Sequence, residues 1–163
     1  MVLRDITMDD LPLYEALITD PETMAELGGP LAREGVPTKV QSLVEDTRSG
    51  EIWYRVIEPE PGGEAAGTVC VWRHDEAGTS VNEIGWMVLP AFQGRGLASD
   101  AVSAILDEAR ATGRWDVIHA YPGVTNEPSN RICEKSGFAR LEEVEIDYAG
   151  RPLRCNHWVI DLQ

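Results

Sequence analysis

Eleven residues in the middle of the chain, Val88-Leu89-Pro90-Ala91-Phe92-Gln93-Gly94-Arg95-Gly96-Leu97-Ala98, limit the fold more than any other stretch. Before them, Glu83 to Val88 reads as an apolar strand. After them, Leu97, Ala101, Val102, Ile105, Leu106 and Ala109 recur at helical spacing up to Thr112-Gly113. The chain therefore passes from a strand into a long helix through a turn that holds two glycines. Without a Cβ, Gly94 and Gly96 can take backbone conformations closed to other residues and let a ligand come close. The first amides of the helix have no intrahelical partner and lie at the positive end of its dipole. Such a turn suits a phosphate or diphosphate, and Arg95 adds a formal positive charge. The spacing is not G-x-G-x-x-G, and no G-x-x-x-x-G-K-S/T loop occurs. Two readings remain: glycines placed for steric reasons alone, or a nucleotide-cofactor site.

On either side of this turn the periodicity changes character. Val2 to Thr7 reads as a strand, and an Asp of Met8-Asp9-Asp10 can cap a helix reaching about Ile18 through Leu11, Tyr14 and Leu17. Asp20 to Pro37 is a loop with a helical turn around Glu22 to Leu27, and a second helix runs from Thr38 to Ser49-Gly50. From Ile52 the period is two. Ile52 to Ile57, Ala65 to Trp72 and Val81 to Val88 are strands joined at Pro61-Gly62-Gly63 and at Asp75-Glu76-Ala77-Gly78, which implies an antiparallel meander. Trp115 to Tyr121 is a strand and Asn126 to Ser136 a helix ended by Gly137. Phe138 to Asp147 and Leu153 to Leu162 then form a hairpin about Tyr148-Ala149-Gly150-Arg151. The order predicts a mixed α/β (α+β) domain spanning residues 1–163, with about seven mostly antiparallel strands and about four helices.

Charge narrows the partners. Acidic residues outnumber basic ones 28 to 14, a net charge of −14, which repels nucleic acid and speaks first to solubility. No apolar run reaches membrane-spanning length and the N-terminus lacks a secretory pattern, so a cytoplasmic protein is expected. Cys70, Cys133 and Cys155 are odd in number and form no C-x-x-C pair, against a disulfide frame or metal cluster. Length permits a monomer or a homodimer.

The string Gln93-Gly94-Arg95-Gly96-Leu97-Ala98 resembles the Q/R-x-x-G-x-G/A acyl-coenzyme A signature of the GNAT superfamily of N-acetyltransferases, with Gln93, Gly96 and Ala98 at the fixed positions. A second segment, Asn126 to Phe138, resembles the N-x-x-S-x-x-x-x-x-K-x-G-F pattern of the subgroup that includes the ribosomal-protein N-terminal (RimJ/RimL-like) acetyltransferases. Ile84-Gly85-Trp86, Asp20-Pro21-Glu22 and Gly28-Gly29-Pro30 look like the same subgroup, and the element order matches the GNAT fold throughout.

That resemblance implies a fold, a donor and a site. Acetyl-coenzyme A would donate an acetyl group directly to a primary amine, either a small amine or a protein N-terminus. Main-chain amides of Gln93, Gly94, Arg95, Gly96, Leu97, Ala98 and Ser99 would hold the diphosphate, and the edge of Met87 and Val88 would pair with the pantetheine arm. Asn126 would bond that arm, unless it serves only as a helix cap, and Ser129 would lie near the sulfur. Gly28 to Pro37 would wall the acceptor side. Glu83 is the candidate base for the acceptor ammonium. His119 and Tyr121 alternate with Ala120 and could both face the acceptor, as could Trp53 or Trp86. Many relatives protonate the leaving thiolate with a Tyr where this chain has Cys133, which leaves Ser129, Tyr121 or water. No residue reads as an acyl-enzyme nucleophile. The Cys133 position keeps an alternative open: a coenzyme-binding or regulatory module that has lost catalysis.

Overall fold

The computed structural model describes residues 1–76 and 78–163. In chain order the elements are β1 (Val2–Asp5), α1 (Leu11–Thr19), α2 (Val36–Ser49), β2 (Trp53–Glu58), β3 (Gly67–Glu76) and β4 (Thr79–Val88). They continue with α3 (Leu97–Thr112), β5 (Val117–Ala120), α4 (Glu127–Lys135), β6 (Ala139–Tyr148) and β7 (Arg151–Asp161). The strands form one sheet in the order β1-β2-β3-β4-β5-β7-β6. Short connections make antiparallel neighbours of β2, β3 and β4 and of β6 and β7, while β1 pairs antiparallel with β2 across the long excursion through α1 and α2. A parallel pair needs a crossover element, and α3 provides it between β4 and β5. Those two strands pair at one register position only, Glu83 opposite His119.

Alternation along the strands separates two faces. Val69, Val71, Ile84, Val88, Ile118 and Ile160 face the apolar stripe of α3, where Ala101, Val102, Ile105 and Leu106 are fully buried. On the opposite face, Tyr54 and Val56 of β2 pack beneath Leu13 and Leu17 of α1 and Val40 and Leu43 of α2. Further along that second face, β4, β5 and β7 carry Glu83, His119 and His157 in place of apolar side chains.

Several boundaries differ from the sequence reading for local reasons. The β3–β4 ladder continues to Glu76 opposite Thr79, so Asp75 and Glu76 belong to the strand and not to the turn. Cross-strand pairing here overrides their low strand propensity; Ala77 lies outside the described residues. Helix α2 starts at Val36, since Pro37 in its first turn removes no intrahelical bond. Asp10 does not cap α1 with its side chain. Its carboxylate accepts the Thr7 N–H at 2.8 Å and the Arg4 guanidinium at 2.8 and 2.7 Å. The β6–β7 turn places Ala149 at φ +51° and Gly150 at φ +78°, the left-handed pair a two-residue hairpin requires.

Candidate active site

From the end of β4 the chain makes one 3₁₀ turn, Pro90–Phe92, before the glycines. The Gln93 side chain donates Nε2–H to the Val88 carbonyl at 2.9 Å, which ties the turn to the strand it leaves. The Gln93 amide donates to the Pro90 carbonyl at 3.2 Å and is therefore engaged. Gly94 and Gly96 sit at φ +71° and +79°, where any other residue is strained. A Cβ on Gly94 would meet nothing within 4 Å, and on Gly96 only Asp100 Oδ2 at 4.0 Å. The glycines thus serve conformation and leave the space beside them open.

Helix α3 begins without a side-chain cap. Its first backbone bond runs from the Asp100 amide to the Gly96 carbonyl, 3.0 Å. Among the described residues, the amides of Gly94, Arg95, Gly96, Leu97, Ala98 and Ser99 therefore find no acceptor. The Arg95 guanidinium lies 5.5 Å from the Phe92 ring centroid, over its face. Arg95 also borders a cleft of about 190 Å³ that Glu60 and Glu64 of the β2–β3 loop share. Positive and negative groups thus meet at the rim of the turn.

Beyond Glu83, among the described residues, strand β4 is paired with β3 on one side and with no strand on the other. A Cβ at Gly67 of β3 would collide with the Met87 carbonyl, which therefore points into the β3 ladder. The Leu89 amide, two residues on, likewise bonds the Ala66 carbonyl at 2.9 Å. By the alternation of an extended strand, the backbone groups of Ile84, Trp86 and Val88 face the gap. The Val88 carbonyl is bonded by Gln93, so Trp86 presents the open polar edge and Met87 does not.

The chain has three histidines, and all three gather around Glu83 on the face that α3 does not cover. His74 Nε2 and Glu83 Oε2 are 2.8 Å apart. His119 stands opposite Glu83 in the register, and its Nδ1 lies 2.8 Å from Nε2 of His157 on β7. Tyr121 stacks on His157 with ring centroids 4.8 Å apart. Trp72 packs across Gly85, whose missing side chain makes room for the indole. His74 and His157 were not singled out from the sequence. Only the β3–β4 and β5–β7 registers bring them to Glu83, and the hairpin boundary hid the first of these. Trp53 and Trp86, considered for the acceptor wall, lie on the α3 face; Trp53 meets Trp115 edge-on at 5.9 Å in that core.

Helix α4 follows the short strand β5. Asn126 is its N-cap, Oδ1 accepting the Ser129 amide at 3.1 Å, while Ser129 itself is half-buried in the first turn. Asn130 anchors the helix: its Oδ1 accepts from Asn156 Nδ2 and Trp158 Nε1, and its Nδ2–H bonds two carbonyls. Cys133 is fully buried against the α3 core, and burial pushes its thiol up to about 12. Burial likewise raises Cys70 to about 12 and Cys155 to about 11, the Glu83 charge adding to both. None of the three is a thiolate near neutral pH. The early loop is pinned at this end, since Arg151 donates to the carbonyls of Gly29 and Pro30 and Thr125 donates to Glu26.

A mixed sheet that parts between its two parallel strands, with an uncapped helix start beside the gap, is the architecture of an N-acetyltransferase. The chain matches the acetyltransferase (GNAT) domain over residues 1–139 and belongs to that family. Among solved structures it is similar to a spermidine N-acetyltransferase from Vibrio cholerae in complex with coenzyme A and spermine. The identity is 17%, the TM-score 0.79, and the match covers 99% of this chain and 95% of that one. The Salmonella typhimurium acetyltransferase that modifies the N-terminal serine of a 50S ribosomal subunit protein gives 18% identity, TM-score 0.78 and coverages of 98% and 93%. The yncA protein of Salmonella typhimurium with its cofactor acetyl-CoA gives 22%, 0.76, 100% and 94%. At these identities the likeness shows the fold. No curated protein matches the sequence significantly.

Proposed function

We propose that this N-acetyltransferase moves the acetyl group of acetyl-CoA directly to a primary amine, with Glu83 as the base. The observation that carries the reading is the position of Glu83: the last β4 residue paired with β5, on the polar face, where the open edge begins. An ammonium acceptor must lose a proton before its nitrogen can attack a thioester, and a carboxylate at the mouth of the gap can take it, directly or through water.

The remaining residues divide the donor's binding among them. The amides of Gly94 to Ser99 offer six N–H donors to a diphosphate at the positive end of α3, with Arg95 supplying charge. The Trp86 and Val88 edge takes the pantetheine arm as an added strand. The Asn126 amide nitrogen is available to that arm, because capping uses only Oδ1. Ser129 and Tyr121 are the candidates to protonate the departing thiolate. Direct transfer is supported by the cysteines, two of them buried and all three with thiols held protonated, none of them a ready acyl carrier. The solved neighbours act on a polyamine and on a protein N-terminus, both primary amines, which supports that acceptor class.

A panel of polyamines, amino acids and peptides, with acetyl-CoA as donor and release of free thiol as readout, tests the proposal. Turnover with at least one primary amine is expected. Binding of coenzyme A without turnover on any amine would favour the non-catalytic module that the Cys133 position raises. Saturation at about a hundred times Kd should stabilise the protein by roughly 2.7 kcal/mol, and no thermal shift at millimolar acetyl-CoA would refute the donor.

A further inference from the structure

We infer that His74 carries the acceptor's proton from Glu83 to solvent at the end of β4 opposite the glycine turn. This rests on the reading of Glu83 as the base and adds the route by which that base is restored. The β3–β4 register sets Trp72 opposite Glu83 and His74 opposite Val81, so the imidazole lies one step nearer the hairpin on the same face. From there its Nε2 reaches back to within 2.8 Å of Glu83 Oε2. The His74 side chain is itself 34% exposed, so the ring that touches Glu83 also meets solvent. The imidazole thus joins the carboxylate to solvent at the end of the sheet away from the coenzyme turn.

The chemistry needs such a bridge. Glu83 is 19% exposed and faces the acceptor side, where a bound amine and donor would shut out water. After one turnover it holds the acceptor's proton and cannot serve again until that proton leaves. The proton passes from the Glu83 carboxyl to Nε2 of neutral His74, giving a carboxylate and an imidazolium. The imidazolium then gives a proton to solvent water, and both side chains return to their starting charge. One proton enters from the acceptor nitrogen and one leaves to solvent, with no other bond changed. Imidazole is the side chain suited to transfer in both directions near neutral pH. The charged group shown in contact with it is Glu83 on β4; Arg73 and Asp75, its neighbours along β3, alternate to the opposite face of the sheet. Cys70, two steps of the alternation back along β3 with Lys39 of α2 near it, stays protonated.

The test is steady-state acetylation by His74→Ala and His74→Gln, with coenzyme A binding checked in each by thermal shift. In His74→Ala, kcat should fall about ten-fold or more with KM for both substrates within about two-fold, the signature of a lost proton transfer. Added imidazole should restore a large part of that rate, while His74→Gln, which keeps a hydrogen bond to Glu83 but carries no proton, stays slow. An unchanged kcat and pH profile in His74→Ala, a slow His74→Ala with no imidazole rescue, or full activity in His74→Gln would each overturn the relay. Wild-type protein that binds coenzyme A but acetylates no amine would overturn the proposed function itself, and the relay with it.

Discussion

Gly96 allows the diphosphate site to be tested by charge alone, through the pair Gly96→Asn and Gly96→Asp. At φ +79° both side chains adopt a conformation that glycine takes freely; Asn and Asp tolerate it best, at about 1 kcal/mol. For a domain of this size that is roughly 2–4 °C in Tm, similar for the two variants. A Cβ there faces open space apart from Asp100 Oδ2 at 4.0 Å, so neither variant should misfold. The variants differ only in charge. A carboxylate about 5 Å from a phosphate costs roughly 1 kcal/mol per pair of unit charges in a water-like medium and roughly 3 kcal/mol at ε ≈ 20. With about two charges on the diphosphate and an exposed turn, Gly96→Asp should bind coenzyme A about 2 kcal/mol less tightly than Gly96→Asn, roughly thirty-fold in Kd. Isothermal titration at low salt measures the gap. Raising ionic strength to about 1 M shortens the screening length to roughly 3 Å and should close most of it. Equal affinities at low salt, or a gap indifferent to salt, would show that no diphosphate sits at this helix start.

Four further outcomes follow from named contacts. Glu83→Gln should lower kcat by about a hundred-fold below pH 7, with the deficit shrinking as alkaline pH supplies the free amine; a ratio constant across pH removes Glu83 from the proton path. Ile105→Ala, at a fully buried position beneath the sheet, should cost about 2–5 kcal/mol by urea unfolding, and a loss under about 1 kcal/mol would contradict the packing of α3. Burial alone would raise the Asp10 carboxyl, but the Arg4 and Thr7 hydrogen bonds outweigh it and hold the group below its ordinary value. Its contribution is therefore present above the unfolded pKa and lost as pH falls through the lower folded one. Asp10→Asn should remove about 1–3 kcal/mol at pH 7 and flatten the acid limb of stability between pH 5 and 2, and an unchanged limb would refute the assignment. Cys133→Ala should keep kcat within about two-fold, and the native thiol should resist alkylation; a ten-fold loss of rate would return Cys133 to the mechanism.

The order of elements was legible because each carries its own period, and Gly50, Gly96, Gly113 and Gly137 mark helix ends through left-handed backbone that needs no tertiary contact. The glycine turn was legible for the same reason. What the sequence could not supply was anything set by pairing across the sheet. Asp75 and Glu76 look like turn residues and become strand only because Ser80 and Thr79 lie opposite. His74 and His157 stand 83 residues apart in the chain, as 157 less 74 gives, and meet Glu83 through two separate registers. The same limit applied to Met87 and Trp86. A one-residue alternation decides which of them offers its carbonyl to the gap, and only the collision with Gly67 reveals it.

A structure determined with coenzyme A bound tests the central claim most directly. It should place diphosphate oxygens about 2.7–3.2 Å from several of the amide nitrogens between Gly94 and Ser99, with the thiol end beside Glu83. A diphosphate bound away from the start of α3, or a thiol on the α3-covered face of the sheet, would contradict the account.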